Sequence, residues 1–217
     1  MSASQKTNHA LRVMISTFGG FAGLMGIEHG IGEVLQGSTA PGGLVFPSWP
    51  GSRFFDALNG EPAMSIVPNL LITGILAVIF SLAYTVWAVA LVERNRSGQV
   101  LMALTIPMLL FGAGLFPPVL GLMVGAAATR IHAPLSWWRK HISGSVRNFL
   151  GSLWPWFFAT ALLTWLLMFP GVPVMDYFLG FFNESFIFLV LGGMFLFLIL
   201  AGISAFARDS LRQAASP

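Results

Sequence analysis

The sequence predicts an all-α, polytopic integral membrane helix bundle with five to six membrane segments. Hydrophobic residues make up 56% of the 217 residues and charged residues only 9%, and the mean hydropathy of +0.79 is far above that of soluble proteins. Several windows longer than about 18 residues carry no charge, which is enough for a helix to cross the hydrocarbon core of a bilayer. We therefore expect a single transmembrane domain over residues 1–217, surrounded by lipid.

The basic character of the chain does not indicate nucleic-acid binding. The isoelectric point near 10.0 comes from Lys and Arg in short loops, where these residues orient membrane segments. The lack of cysteine excludes disulfides and thiolate chemistry. The sequence contains no phosphate-binding loop, no dinucleotide-binding glycine motif, no GxSxG and no HExxH. Sequence motifs therefore assign no reaction and no substrate.

The first membrane segment, predicted over residues 12–36, carries a stripe of glycines. The stripe consists of Gly19, Gly23, Gly26 and Gly30, spaced by four, three and four residues. Small residues on one helical face let a second helix approach closely in lipid. We expect this stripe to contact another helix, with a homo-oligomer or a membrane partner as candidate partners.

The same segment ends in three ionisable residues, Glu28, His29 and Glu33. His29 and Glu33 are four residues apart and therefore lie one turn apart on one helix face. A buried acid is costly at the centre of a membrane, by about 2.5–3.5 kcal/mol for Asp, so we predict that this pair is hydrogen-bonded or metal-bridged and faces the bundle interior. Imidazole and carboxylate together suit a divalent metal, and Asp56, Glu61 and Asp176 are further candidate ligands.

A purely structural interpretation of this polar group is also open. Glu28 lies about 24 Å along the helix from its start, which places it near the outer headgroups, where acids cost little. A His–Glu hydrogen bond at that level would pin the helix end and need no further role. A single HxxxE pattern does not separate the two interpretations.

Residues 37–63 form a predicted loop, because Gly, Pro and Ser recur throughout and interrupt any helix. Several apolar side chains in it, including Trp49, are unusual for a free linker. The loop is expected either to lie on the membrane surface, anchored by Trp49, or to form a lid over a site. The second membrane segment follows over residues 68–92.

Residues 99–130 are charge-free up to Arg130 but contain the pair Pro117–Pro118, which breaks a helix. We predict a Pro-broken hairpin with segments 99–115 and 118–133. Two crossings, or a re-entrant hairpin, put all basic residues except Arg53 on one side. That set is Lys6, Arg12, Arg94, Arg96, Arg130, Arg139, Lys140, Arg147, Arg208 and Arg212. Basic loops stay cytoplasmic, so we expect a bacterial inner-membrane protein with both termini in the cytoplasm.

The stretch 135–153 places apolar residues every three or four positions with basic residues between them. This pattern is typical of an amphipathic helix in the membrane plane, so we predict an interfacial helix there. Two further segments are predicted at 155–170 and 185–207, followed by a short polar tail.

Three functional classes fit these patterns. The first is transport or permeation of an ion or small solute through a polar outer vestibule at Glu28, His29 and Glu33. The second is an intramembrane enzyme that depends on a metal or acts on a lipid or quinone. The third is a structural or accessory subunit of a membrane complex, with the glycine stripe as its contact surface. We place transport first, because intramembrane acids mark ion pathways.

Overall fold

The computed structural model describes residues 7–215, so Lys6 lies outside the described part. The described residues form an all-α fold, in which four helical segments are long and apolar enough to cross a bilayer, namely His9–Leu35, Leu70–Ala90, Gly144–Leu179 and Glu184–Ala214. This is consistent with an integral membrane protein. Two shorter apolar helices, Ser97–Leu110 and Phe116–Ala128, lie where segments 99–115 and 118–133 were predicted, and the count of five to six membrane segments stays a prediction.

The elements follow the chain in this order: α1 (His9–Leu35), β1 (Val45–Pro47), a 3₁₀ helix (Arg53–Leu58), β2 (Pro62–Met64), α2 (Leu70–Ala90), α3 (Ser97–Leu110), α4 (Phe116–Ala128), α5 (Ser136–His141), α6 (Gly144–Leu166), α7 (Val172–Leu179) and α8 (Glu184–Ala215). They form two compact units. Residues 15–130 make the central unit, and residues 7–14 with 131–215 make the terminal unit.

In the terminal unit, α6 packs along α8. The predicted segment 155–170 begins earlier in the structure, because α6 starts at Gly144. Its predicted end is confirmed, since Phe169 is not helical (φ −132°, ψ 104°) and the chain kinks there before α7. Gly151 allows close packing: a Cβ there would lie 3.2 Å from the Cα of Arg208. Residues 208–215 of the predicted polar tail are helical as well and form the end of α8.

The predicted interfacial helix over 135–153 is wrong as a single element. Helix α5 ends at His141, and Ile142 and Ser143 are extended. The Ser143 hydroxyl accepts a hydrogen bond from the Val146 N–H at 3.3 Å and so caps a new helix. Residues 144–153 therefore form the first part of α6, and only Ser136–His141 is a separate helix.

A buried carboxylate, Asp209, joins the two ends of the chain. Its two oxygens accept hydrogen bonds from the N–H groups of Ala10 at 3.0 Å and Leu11 at 2.9 Å, in the first turn of α1. Those N–H groups have no partner within their own helix. One turn along α8, the Gln213 amide donates to the Asn8 side chain at 2.7 Å. We call this arrangement the Asp209 cap.

In the central unit, the glycine stripe of α1 packs against α2. A Cβ on Gly23 would lie 2.9 Å from the Ser81 carbonyl oxygen, and one on Gly30 would lie 2.8 Å from that of Gly74. Gly19 and Gly26 contact the same helix, at Ala88 and Ser81. The stripe thus contacts a helix of its own chain, and a homo-oligomer or membrane partner at this face stays a prediction.

The stretch 99–130 is divided into two helices, as predicted, but the turn lies earlier than expected. Pro117 and Pro118 sit in the first turn of α4, where a missing N–H has no helical partner to lose. The turn itself uses Gly112 (φ 88°) and Gly114 (φ 79°), conformations that favour glycine. Helices α3 and α4 rise about 20 Å each, less than the roughly 30 Å hydrocarbon core.

Candidate functional site

His29 lies in the second half of α1 between two carboxylates. Its Nδ1 is 2.9 Å from the Met25 carbonyl oxygen and 3.1 Å from Glu28 Oε2, and its Nε2 is 3.2 Å from Glu61 Oε2. The imidazole and the Glu61 carboxylate are almost fully buried, whereas Glu28 is 34% exposed. We call Glu28, His29 and Glu61 the His29 cluster.

Glu61 reaches the cluster because the loop after α1 folds back as a two-stranded sheet. Strands β1 and β2 pair antiparallel, and the pairing continues with the Ser48 N–H donating to the Glu61 carbonyl at 2.9 Å. Asn59, Gly60 and Glu61 all have positive φ, at 54°, 68° and 56°. A glutamate in this left-handed region is uncommon, and such outliers concentrate at functional sites.

The environment of Glu61 changes its acidity. Burial is the largest cause and raises the pKa of its carboxyl from 4.5 to about 7. The neighbouring His29 acts in the opposite direction, and the like charge of Glu28 adds to the increase. Glu61 is therefore a carboxyl that changes protonation near neutral pH.

The loop also supplies the cover over this part of α1. The Trp49 indole N–H donates to the Glu28 carboxylate, and its ring stacks on Phe55 with 5.1 Å between centroids. Gly32 makes this approach possible, because a Cβ there would lie 2.5 Å from the Ser48 carbonyl oxygen and 2.7 Å from the Trp49 ring. The loop thus packs directly on the helix that carries the cluster.

Glu33, one turn after His29, is completely buried. Its Oε1 accepts a long hydrogen bond from the Ser48 hydroxyl at 3.4 Å, and its Oε2 has no hydrogen-bond partner in the described part of the chain. The turn between α3 and α4 closes this side: Gly112 contacts the Glu33 carboxylate, and a Cβ on Gly114 would lie 2.5 Å from His29 Nε2. Burying a polar atom without a hydrogen-bond partner destabilises the folded state. The burial of Glu33 is therefore not accounted for by its hydrogen bonds.

The structure brings together most of the predicted site residues but changes their pairing. His29 pairs with Glu28 and Glu61, whereas the prediction paired it with Glu33; Glu33 instead faces Ser48 and the Gly112 backbone. Asp56 is exposed on the 3₁₀ helix, outside the cluster. Of the three residues of the predicted polar outer vestibule, His29 and Glu33 are buried and Glu28 is 34% exposed.

Four further residues of the site were not predicted from the sequence: Ser48, Trp49 as a hydrogen-bond donor, Gly112 and Gly114. The apolar content of the loop indicated that it packs on something, and the glycines before Pro117 indicated a turn. Neither signal showed that the loop after α1 and the turn between α3 and α4 both pack on His29 and Glu33.

Comparison with known protein families, with curated proteins and with solved structures gives no match. The chemistry of the site is therefore inferred from its own geometry. One imidazole and three carboxylates near the end of a candidate membrane span can bind a cation or exchange protons.

Proposed function

We propose that this protein transports or conducts a cation across the membrane, and that the His29 cluster with Glu33 is its binding site. The observation that carries this proposal is the burial of His29, Glu33 and Glu61 at the end of helix α1, a candidate membrane span. Ionisable side chains in such segments are expensive, and they mark ion pathways and proton relays.

The short hairpin supports transport over a purely structural role. Non-helical backbone at membrane depth is tolerated where it is buried in protein or lines a cavity, and interrupted helices frequently form cation sites in transporters. Here the non-helical turn at Gly112–Gly114 packs on Glu33 and His29. A clasp that only pins the end of α1 would not need a second segment at these two side chains.

The exposure of the acids suggests a direction of entry. Glu28 is 34% exposed and is held by the Trp49 indole, whereas Glu33 is completely buried one turn and a half further along α1. In the proposed mechanism a cation first meets Glu28, then His29 and Glu61, and reaches Glu33 last. Trp49 would have to release Glu28 for the cation to enter.

We infer a bacterial inner-membrane location with both termini in the cytoplasm. Within the central unit, Arg94, Arg96 and Arg130 lie at the α2–α3 and α4 ends of the hairpin, remote from the His29 cluster at its turn.

The orientation is tested by cysteine labelling. Since the chain has no cysteine, a single cysteine substitution is the only site that a thiol reagent can label. In intact cells an impermeant thiol reagent should label Ala40→Cys and not Ser145→Cys; the reverse pattern would invert the orientation.

The function is tested by flux into proteoliposomes that contain indicators for H⁺, K⁺, Mn²⁺ and Zn²⁺. Wild-type protein should give saturable flux of at least one of these cations. Glu33→Gln and His29→Gln should reduce that flux at least tenfold while remaining folded, as judged by gel filtration and thermal unfolding. Glu184→Gln, which neutralises an exposed acid at the start of α8, is the matched control and should keep the flux.

Folded wild-type protein that moves none of these cations would overturn the transport proposal. If such protein still bound a metal, a metal-dependent intramembrane enzyme would become the better interpretation. If it bound no cation either, an accessory subunit would be favoured.

A further inference from the structure

We infer that the His29 cluster binds a divalent transition-metal ion of the zinc class, with His29 Nε2 and the Glu61 carboxylate as ligands and with Glu28, on the Nδ1 side of the ring, as a second carboxylate that balances the charge of the ion. The inference rests on the proposed function in one respect: it names the class of the cation that the proposed transport site binds. It requires only that the metal binds, and binding is measured without any flux.

The distances suit a common metal. One ligand atom from each of Glu28, His29 and Glu61 can be chosen so that all three lie within 4.8 Å of one another. Zinc bonds to imidazole nitrogen and carboxylate oxygen are about 2.0–2.2 Å long, so two ligands at a tetrahedral angle are about 3.3 Å apart. His29 Nε2 and Glu61 Oε2 are separated by 3.2 Å. This pair is therefore already spaced as two ligands of one ion.

The histidine is oriented for metal binding through Nε2. Its Nδ1 lies 2.9 Å from the Met25 carbonyl oxygen, one turn earlier in α1, and 3.1 Å from Glu28. Metal-binding histidines usually donate their other ring N–H to a carbonyl or carboxylate, which selects the tautomer and the ring orientation. If Nδ1 carries the proton and donates it to Met25, Nε2 is the nitrogen available to a metal, on the side of Glu61.

The ligand chemistry excludes the commonest alternatives. Ca²⁺ takes six to eight oxygen ligands, and Mg²⁺ keeps several waters in an octahedral shell; neither prefers imidazole. Imidazole with carboxylates suits Zn²⁺, Mn²⁺, Fe²⁺ and related ions. Two carboxylates also neutralise a double positive charge, which matters where the site is buried.

Glu33 supplies the independent observation. Its side chain is completely buried, and its Oε2 has no partner among the described residues. It interacts electrostatically with His29 and packs on the same glycine turn as His29 Nε2. A clasp of His29 with Glu28 and Glu61 leaves this oxygen unexplained, whereas a water molecule bound to the ion would give it a hydrogen-bond partner.

The inference is tested on the purified full chain in detergent micelles, stripped of metal with a chelator. Co²⁺ is titrated as a spectroscopic substitute, and Zn²⁺ is then used to displace it. The expected result is one ion per chain, with visible absorption bands of low-symmetry Co²⁺ that disappear on adding Zn²⁺. His29→Gln and Glu61→Gln should weaken binding at least about 100-fold, while Glu184→Gln binds like wild type.

Wild-type protein that takes up less than a stoichiometric amount of both metals would overturn the inference, as would equal binding by His29→Gln and Glu184→Gln. If the cluster variants fail to fold, X-ray absorption of the zinc-loaded wild type decides instead: imidazole and oxygen scattering is expected, and its absence contradicts the site. Flux of H⁺ or K⁺ without metal binding would overturn this inference and leave cation transport standing.

Discussion

The two units of this protein each bury a carboxylate, and the two carboxylates differ in how many hydrogen bonds they accept. In the Asp209 cap of the terminal unit, both oxygens accept backbone N–H groups, at 3.0 and 2.9 Å. In the central unit, Glu33 has one long hydrogen bond of 3.4 Å and one oxygen without a partner in the described chain. Both side chains are shielded from solvent, at 2% and 0% exposure.

The difference supports a structural role for Asp209 and, under the proposed function, a cation-binding role for Glu33. Asp209 completes the N-terminus of α1, where first-turn N–H groups and the helix dipole favour an anion, so its burial is compensated by the fold itself. Glu33 has no comparable compensation, and it interacts electrostatically with His29, a member of a cluster that is itself ionisable. An uncompensated carboxylate persists where function requires it.

The largest expected effect concerns the turn that closes the site. Gly114→Ala places a methyl group 2.5 Å from His29 Nε2 at a residue with φ of 79°, so overpacking and backbone strain add together. We expect the free energy of unfolding to fall by about 4 kcal/mol. Gly144→Ala is the matched control, because a Cβ there meets nothing within 4 Å; its thermal midpoint should stay close to that of wild type. Equal midpoints for the two variants would contradict the described packing.

The next effect tests the satisfied carboxylate. Asp209→Ala leaves two first-turn N–H groups of α1 without their charged acceptor, which should cost about 3 kcal/mol in thermal or denaturant unfolding. Cation flux per folded molecule should not change. Glu184→Ala, at the exposed start of α8, should cost less than about 0.5 kcal/mol. A strong loss of flux in folded Asp209→Ala would contradict the proposal that Asp209 is structural and that Glu33 serves cation binding.

A pH titration sharpens the comparison at Glu61. Its pKa is raised in the folded protein from 4.5 to about 7, so the folded state holds this proton more tightly than the unfolded chain. The stabilisation is complete below pH 4.5 and is lost as the pH rises through 7, by about 3 kcal/mol. In chelator-treated protein the thermal midpoint should therefore fall over this range in wild type, and much less in Glu61→Gln. A midpoint that rises over the same range in wild type alone would show that the sign is wrong.

The smallest expected change in stability concerns the unsatisfied carboxylate. Glu33→Gln removes a buried charge, keeps the side-chain shape and retains an acceptor for Ser48. We expect unfolding free energy to be unchanged or to rise by about 1 kcal/mol, while cation flux is lost. A fall in stability comparable to that of Asp209→Ala would identify Glu33 as a structural group and remove the contrast between the units.

The sequence by itself determined the membrane class, the helical nature of the spans and the position of one unusual polar group. Every backbone N–H and C=O inside lipid must be hydrogen-bonded within the protein, and a helix does this within one stretch of sequence. Long charge-free windows are therefore enough to predict membrane-spanning helices. The glycine stripe predicted close helix packing, and α2 occupies it. Glu28, His29 and Glu33 were conspicuous because charged residues are rare in such a segment. The prediction of one helix over 135–153 was wrong for a local reason too. Ser143 caps the start of α6, and this interrupts the helix that the amphipathic pattern predicted.

Only the tertiary structure decided which residues meet. Periodicity reports neighbours three and four positions apart, so it favoured Glu33 as the partner of His29. Glu61 became a partner because the β1–β2 pairing and three consecutive positive φ angles return the chain to α1. The turn at Gly112–Gly114 reaches the same place from another part of the chain, and Asp209 meets Ala10 across 199 positions. Such contacts depend on how separate segments pack, and no local pattern encodes them.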